Sequence, residues 1–287
     1  MVLLVPAAAG VAAAATTAMD AEPVVVAGPG REVPVEGFME LSGRLVVEAD
    51  GRVSAYAIDH ADAVPGDVRA FLGRRVMAWR VALDAGVVVP EEPVGFHVRV
   101  RASPAGDGLY RLWLDGVRLD EVLPAAQRLQ SIHRRRPEYP RAMASVGASG
   151  IVYMQVLVGA DGRVEDVFAE QVDLTAMPAD PADFAQYQLE FMASAATAAR
   201  QWRFKVPSEG PYAGTQRQVV RIPLVYFMHD RPMAAYGQWE YLVRGVHKHP
   251  PWQSGADADA GRAMASLGMQ PARSRMRVVD AGDGYEG

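Results

Sequence analysis

Two stretches of the chain alternate apolar and polar positions and then run into the same five letters. Leu41, Leu45 and Val47 precede Ala49-Asp50-Gly51-Arg52-Val53, and Val152, Met154, Val156 and Val158 precede Ala160-Asp161-Gly162-Arg163-Val164. A period of two turns one face of a strand inward. Asp-Gly between such runs predicts a two-residue hairpin turn, because both residues tolerate the left-handed backbone that matches strand twist. Asp50 with Gly51, and Asp161 with Gly162, are therefore read as two hairpin tips, each explained by backbone geometry alone.

Beyond each tip the period lengthens. Val68, Leu72, Val76 and Trp79 recur at helical steps, as do Phe191, Ala195, Ala199 and Trp202, and both series end in Trp-Arg. A further alternating run follows each, at 96–101 and 218–226. The unit is hairpin, helix, strand, repeated, with extra loop in the second copy around Pro178 and Pro181. A small antiparallel sheet with one apolar face needs a cover, and the striped helix supplies it. The expected fold class is α+β: two related modules, each a sheet of about three strands covered by helix, with Trp79 and Trp202 wedged between the layers. Another strand and turn is expected over 109–117, a helical or irregular connector over 121–133, and a solvated linker at Arg134-Arg135-Arg136.

Composition narrows the function classes. The 287 residues carry a formal net charge of −5, which argues against a phosphate-backbone partner and hence against nucleic acid. Cysteine is absent, so thiol nucleophiles, Cys-based zinc sites, iron–sulfur clusters and disulfides are excluded. His60, His97, His133, His229, His247 and His249 supply one close pair, His247 with His249, lacking an obvious third ligand beside Pro250-Pro251. His97 is expected to face solvent. No nucleophile elbow, zincin helix, phosphate loop or EF-hand loop occurs. The expectation is a protein that is not an enzyme, with no cofactor and no metal.

Residues 2–19 carry no charge and are rich in alanine, which suits a secretory signal with small residues near Ala18 and Ala21, or a short anchor. Membrane contact is expected only through this segment, if uncleaved. Pro23, Pro29 and Pro34 mark a short linker whose reach is roughly 45 Å at most.

Tyr139-Pro140, then Gly147 and Gly150, the strand, Asp161-Gly162, the helix from Phe191 to Trp202, and Trp202-Arg203-Phe204 together resemble the TonB C-terminal domain family. In that family a Tyr-Pro pair opens a short helix, two glycines follow at these spacings and Trp-x-Phe closes the second helix. The resemblance covers about 137–227; Met143, Pro207 and the long loop over 172–187 depart from the family pattern. The first copy is tied to the family only through the internal repeat. The expected organisation is a signal or anchor at 1–21, a linker at 22–36, a diverged module at 37–120, a connector at 121–136, the TonB-like domain at 137–228, and an extension with a mobile tail at 229–287.

The resemblance implies a periplasmic protein that binds an extended segment of an outer-membrane transporter by strand addition, in energy transduction. The edge expected to do so is Gln218, Val219, Val220, Arg221, Ile222, Leu224 and Tyr226, the last strand of the second copy, although Arg217, Arg221 and Pro223 also suit a protected edge. The short linker makes force transmission by this chain alone doubtful. The alternative is a structural or scaffolding envelope protein whose edges pair with each other, within the chain or across a homodimer. A hydrolase with its site at the module junction is a third reading, without positive support.

Overall fold

The computed structural model describes residues 24–27, 36–106, 109–176, 178–228, 233–253 and 268–280. The expected signal segment and His229 lie outside the described residues.

The first hairpin is β1 (Glu36–Val47) with β2 (Val53–Ile58), preceded in the chain by a short leading strand (Val24–Ala27). Helix α1 (Gly66–Ala78), β3 (Arg80–Leu83), β4 (Val94–Gly106) and β5 (Leu109–Leu119) follow.

 The second hairpin is β7 (Gly150–Gly159) with β8 (Val164–Leu174), reached through β6 (Gln130–His133) and the short helix α2 (Arg141–Ser145). Helix α3 (Phe184–Ala199), β9 (Arg203–Lys205) and β10 (Arg217–Tyr226) complete it, and β11 (Glu240–Leu242), β12 (Gln270–Pro271) and β13 (Met276–Asp280) follow. The architecture is mixed helix and antiparallel sheet, as expected for α+β.

Both hairpin tips close by the same bonds. Gly51 N–H donates to Glu48 O and Glu48 N–H to Arg52 O, each at 2.8 Å; Gly162 N–H donates to Gly159 O and Gly159 N–H to Arg163 O, each at 2.9 Å. This is a three-residue loop with a bulge, which corrects the expected two-residue turn. The glycine takes the left-handed position, with φ 80° at Gly51 and 75° at Gly162, and the aspartate accepts from the arginine N–H two residues on. The glycine carbonyls then receive Val81 N–H at 2.8 Å and Phe204 N–H at 2.9 Å. Each tip is thereby tied to the residue after Trp-Arg. A Cβ at Gly51 would sit 2.4 Å from Val81 O, and at Gly162 2.0 Å from Phe204 O, so close approach as well as φ requires glycine.

The predicted helical stripes are the buried ones. Val68, Leu72, Val76 and Trp79 have no exposed surface, and neither do Phe191, Ala195, Ala199 and Trp202. Trp79 meets Phe96 edge-on at 5.8 Å, and Trp202 Nε1–H donates to Arg135 O at 2.8 Å, so the linker arginines serve the second core through their backbone. Tyr139 packs edge-on against Phe191 and Tyr226, and Gly147 takes φ 66° just past α2. At Gly150 a Cβ would lie 2.5 Å from Asp173 O, where β8 passes.

In the first sheet β5, β4 and β1 lie side by side; the leading strand pairs with β5, and the far edge of β1 is shared by β2 and β11. In the second, β12, β10, β7 and β8 lie in that order. β7 is buried along its whole length, on both faces. One face carries Val152, Met154, Val156 and Val158 into the helix-covered core; the other joins Ile151 and Tyr153 to Phe38 and Leu242 of other parts of the chain.

Three expectations need correction. The segment Val24–Ala27, assigned to a linker, is a strand paired with Leu109–Leu112. The connector contains β6, which pairs with β9, because the extended backbone at Gln130–His133 meets the chain leaving the Trp-Arg corner. The extension and tail are built into the fold over 233–253 and 268–280, since their backbone groups find partners on strands of both sheets.

Candidate functional site: sheet edges and the cleft between the units

Strand β10 runs beside β7 from Arg217, opposite Gly159, to Tyr226, opposite Gly150. Its other edge is the one expected to recruit a foreign strand. Ala272 N–H donates to Val219 O at 2.9 Å, so Val219 points outward and, by alternation, so do Arg221, Pro223 and Val225. Val220 and Arg221 are paired with Pro271 and Gln270. The Arg221 guanidinium locks the strap: Nη1 donates to Ala272 O at 2.7 Å and Nε reaches both Glu170 oxygens at 3.1 Å. Pro223 has no N–H to offer. The open border expected over Gln218 to Tyr226 therefore shrinks to the backbone around Val225, whose side chain is 40% exposed.

The remaining named residues face the fold itself. Gln218, Val220, Ile222 and Leu224 direct their backbone toward β7, and Val220, Ile222, Leu224 and Tyr226 bury their side chains in the second core. Tyr226 Oη lies 3.2 Å from Ser194 Oγ, and burial pushes its pKa up to about 12.

Other edges are likewise met by the chain's own backbone. Leu174 and Val243 exchange bonds of 3.0 and 2.6 Å, Lys248 N–H donates to Glu170 O at 2.7 Å, and Gln188 Nε2 caps Val172 O at 2.7 Å. β11 covers Glu36–Phe38, and β13 covers β3.

Between the units lies a cleft of ≈ 180 Å³ lined in part by Phe38, Glu40, Arg99, Tyr153, Tyr236 and Glu240. Arg99 Nη2 donates to Glu40 Oε1 at 2.7 Å and to Tyr153 Oη at 3.0 Å. Burial works against the Arg99 charge, but Tyr153, Glu40 and Asp115 hold its pKa above the ordinary value. Burial raises Glu240, against the pull of Ala234 N–H, and burial raises Tyr153. The cleft brings a carboxylate–guanidinium pair and two phenols to apolar walls, without a nucleophile set beside a base. The Arg99 to Tyr153 bond joins the first sheet to the second.

Sequence reasoning missed the buried polar layer around this cleft. Asp115, 1% exposed, lies 3.1 Å from Arg244, 3.7 Å from Arg99 and 3.8 Å from Arg101. Asp173, fully buried, accepts from Gly245 N–H at 2.9 Å and Gln171 Nε2 at 2.7 Å; burial pushes its pKa up to about 6, with those two donors opposing. Polar residues at alternate positions of β4 gave no sign of a covered face. The available signal was the nearly unbroken apolar run of β7, which suits a strand covered on both sides.

Among the described residues the histidines do not gather into a metal site. His247 and His249 stack edge-on at 4.9 Å, with burial lowering the pKa of His247; His97, expected in solvent, is partly buried at 3.3 Å from Asp120. His60 stacks on Tyr236, and His133 is exposed on β6. Among the described residues no group of three or more His, Cys, Asp or Glu could hold a metal ion, and no helix is long and apolar enough to cross a membrane. No protein-family model matches the chain, and neither a curated protein nor a solved structure matches it.

Proposed function

We propose that this chain is a structural or scaffolding protein of the cell envelope, built from two related TonB-like modules whose sheet edges pair with the chain itself. The observation that carries this reading is the strap at 270–272 on the outer edge of β10, where a transporter segment would otherwise add. The matching bonds at the two hairpin tips support descent of both modules from one unit.

Strand capture at β10 is the second reading. The short pairing of the strap and the exposed Val225 favour it, since an incoming segment could begin there and displace 270–272. Titration of an extended transporter-like peptide against the full chain separates the two. The scaffold reading predicts unmoved amide signals from Arg217 to Tyr226 at millimolar peptide. Saturable shifts confined to that strand would overturn it in favour of capture.

A further inference from the structure

The guanidiniums of the covered polar layer each have a carboxylate close by. Arg99 lies 2.7 Å from Glu40, Arg101 2.9 Å from Glu36 and Arg244 3.1 Å from Asp115. Glu240 shares this face, because β11 sets it directly opposite Phe38 of β1. It has no such counter-charge. Ala234 N–H donates to Oε2 at 2.7 Å, and among the described residues no Lys, Arg or His comes within ion-pair distance of the carboxylate. Burial works against its charge, with that single donor in support. Asp173, on the second sheet, differs in holding two donors on one oxygen. Glu240 is the carboxylate of the cleft that the chain leaves without a cation.

The space beside it is shaped in advance. Phe38 and Leu242 form one apolar wall and Ile151, from β7, another. A third side is the loop over 233–238, which is pinned to the first unit. Tyr236 Oη donates to Ser42 O at 3.1 Å and accepts from Ser42 N–H at 3.2 Å. Gly237, at φ 77°, sits where a Cβ would lie 2.3 Å from Ala63 O. A ligand would therefore meet walls that need no ordering.

We propose that this cleft binds a small primary amine with an apolar body, its ammonium on the Glu240 carboxylate and its body against Phe38, Ile151 and Leu242. The proposal goes beyond the scaffold reading and does not depend on it. Charge selects the class: an anionic ligand would meet both Glu40 and Glu240, whereas a monocation neutralises the carboxylate left over. A divalent metal ion is a poor fit, since one carboxylate among apolar walls offers too few oxygens. Size agrees as well. A cavity of about 150 Å³ holds a benzene ring, so ≈ 180 Å³ takes one ring with a short arm.

The test is a titration of the full-length protein with phenethylamine, followed by amide signals at about 0.15 M salt, where loose surface attraction is screened. The expected result is saturable shifts at Phe38 and over 234–242. The alcohol 2-phenylethanol has the same ring and arm without the charge and should bind about tenfold more weakly. Glu240→Gln keeps an oxygen for Ala234 N–H and removes the charge; it should weaken the amine about tenfold and leave the alcohol as it was. No saturable shift at millimolar amine overturns the proposal, as do shifts confined to other parts of the chain, an alcohol that binds as well as the amine, or a variant that binds the amine undiminished. Should the variant fail to fold, the amine and the alcohol compared on the wild type decide. Failure here leaves the scaffold reading standing, since that reading is judged at β10 by the peptide titration.

Discussion

Asp173 offers a quantitative check on the buried layer that joins the extension to the second sheet. Its carboxylate is fully enclosed, holds the Gly245 and Gln171 donors on Oδ1, and leaves Oδ2 without a hydrogen-bond partner. Burial raises its pKa from 3.8 to about 6. A carboxyl raised on folding binds its proton more tightly in the native state, so its contribution is fully present below the unfolded value near 3.8 and is lost as pH rises through about 6. At about 1.36 kcal/mol per pKa unit, the loss approaches about 3 kcal/mol at pH 7.5. Asp173→Asn removes the titration while keeping an acceptor for Gly245. Its new amide donors, placed where Oδ2 lacked a partner, cost about 1–3 kcal/mol at every pH and so leave the pH dependence clean. Urea unfolding of both proteins at pH 4.5 and 7.5 is the assay. Wild type should lose about 2 kcal/mol relative to the variant between those values, the rest of the loss falling below pH 4.5. A difference between the two proteins that stays constant with pH would refute the assignment of a raised, buried carboxyl.

Three further outcomes are expected. Gly162→Ala forces a Cβ against Phe204 O and a strained φ, and thermal unfolding should show a loss of about 2–4 kcal/mol, where an alanine at the exposed Gly66 leaves stability nearly unchanged. Arg99→Met removes the guanidinium that Glu40 pairs with in the interface and should cost about 3–5 kcal/mol by denaturant unfolding, a loss that a second change, Glu40→Gln, recovers in part. Ala272→Pro deletes the N–H donated to Val219 O; it should cost about 1 kcal/mol and raise amide exchange of Arg221, with β7 still protected.

The apolar periodicity revealed the hairpins, both covering helices and their terminal tryptophans, because local spacing alone decides which side chains can share one face. Aspartate and glycine marked the tips, but the three-residue form of the turn depends on the close approach of Val81 and Phe204, which lies outside any local pattern. The candidate edge was harder to read. Whether β10 is open depends on Gln270 and Pro271, far along the chain, and a two-residue strand in a polar segment carries no periodic signal. The polar layer was hidden for a similar reason. Arg99 and Arg101 look like solvent-facing positions of an amphipathic strand until Tyr153 of the second sheet and Arg244 of the extension close over the face on which they pair with Glu40 and Asp115.

The scaffold account rests most directly on the closure of the β10 edge by the chain's own tail. Hydrogen exchange of the Ala272 amide in the full-length protein measures that closure. The account predicts exchange slowed well below the free-chain rate, together with slowed exchange at Arg221. Exchange of Ala272 at the free-chain rate would mean that the edge stands open, and would return β10 to the role of a strand-recruiting site.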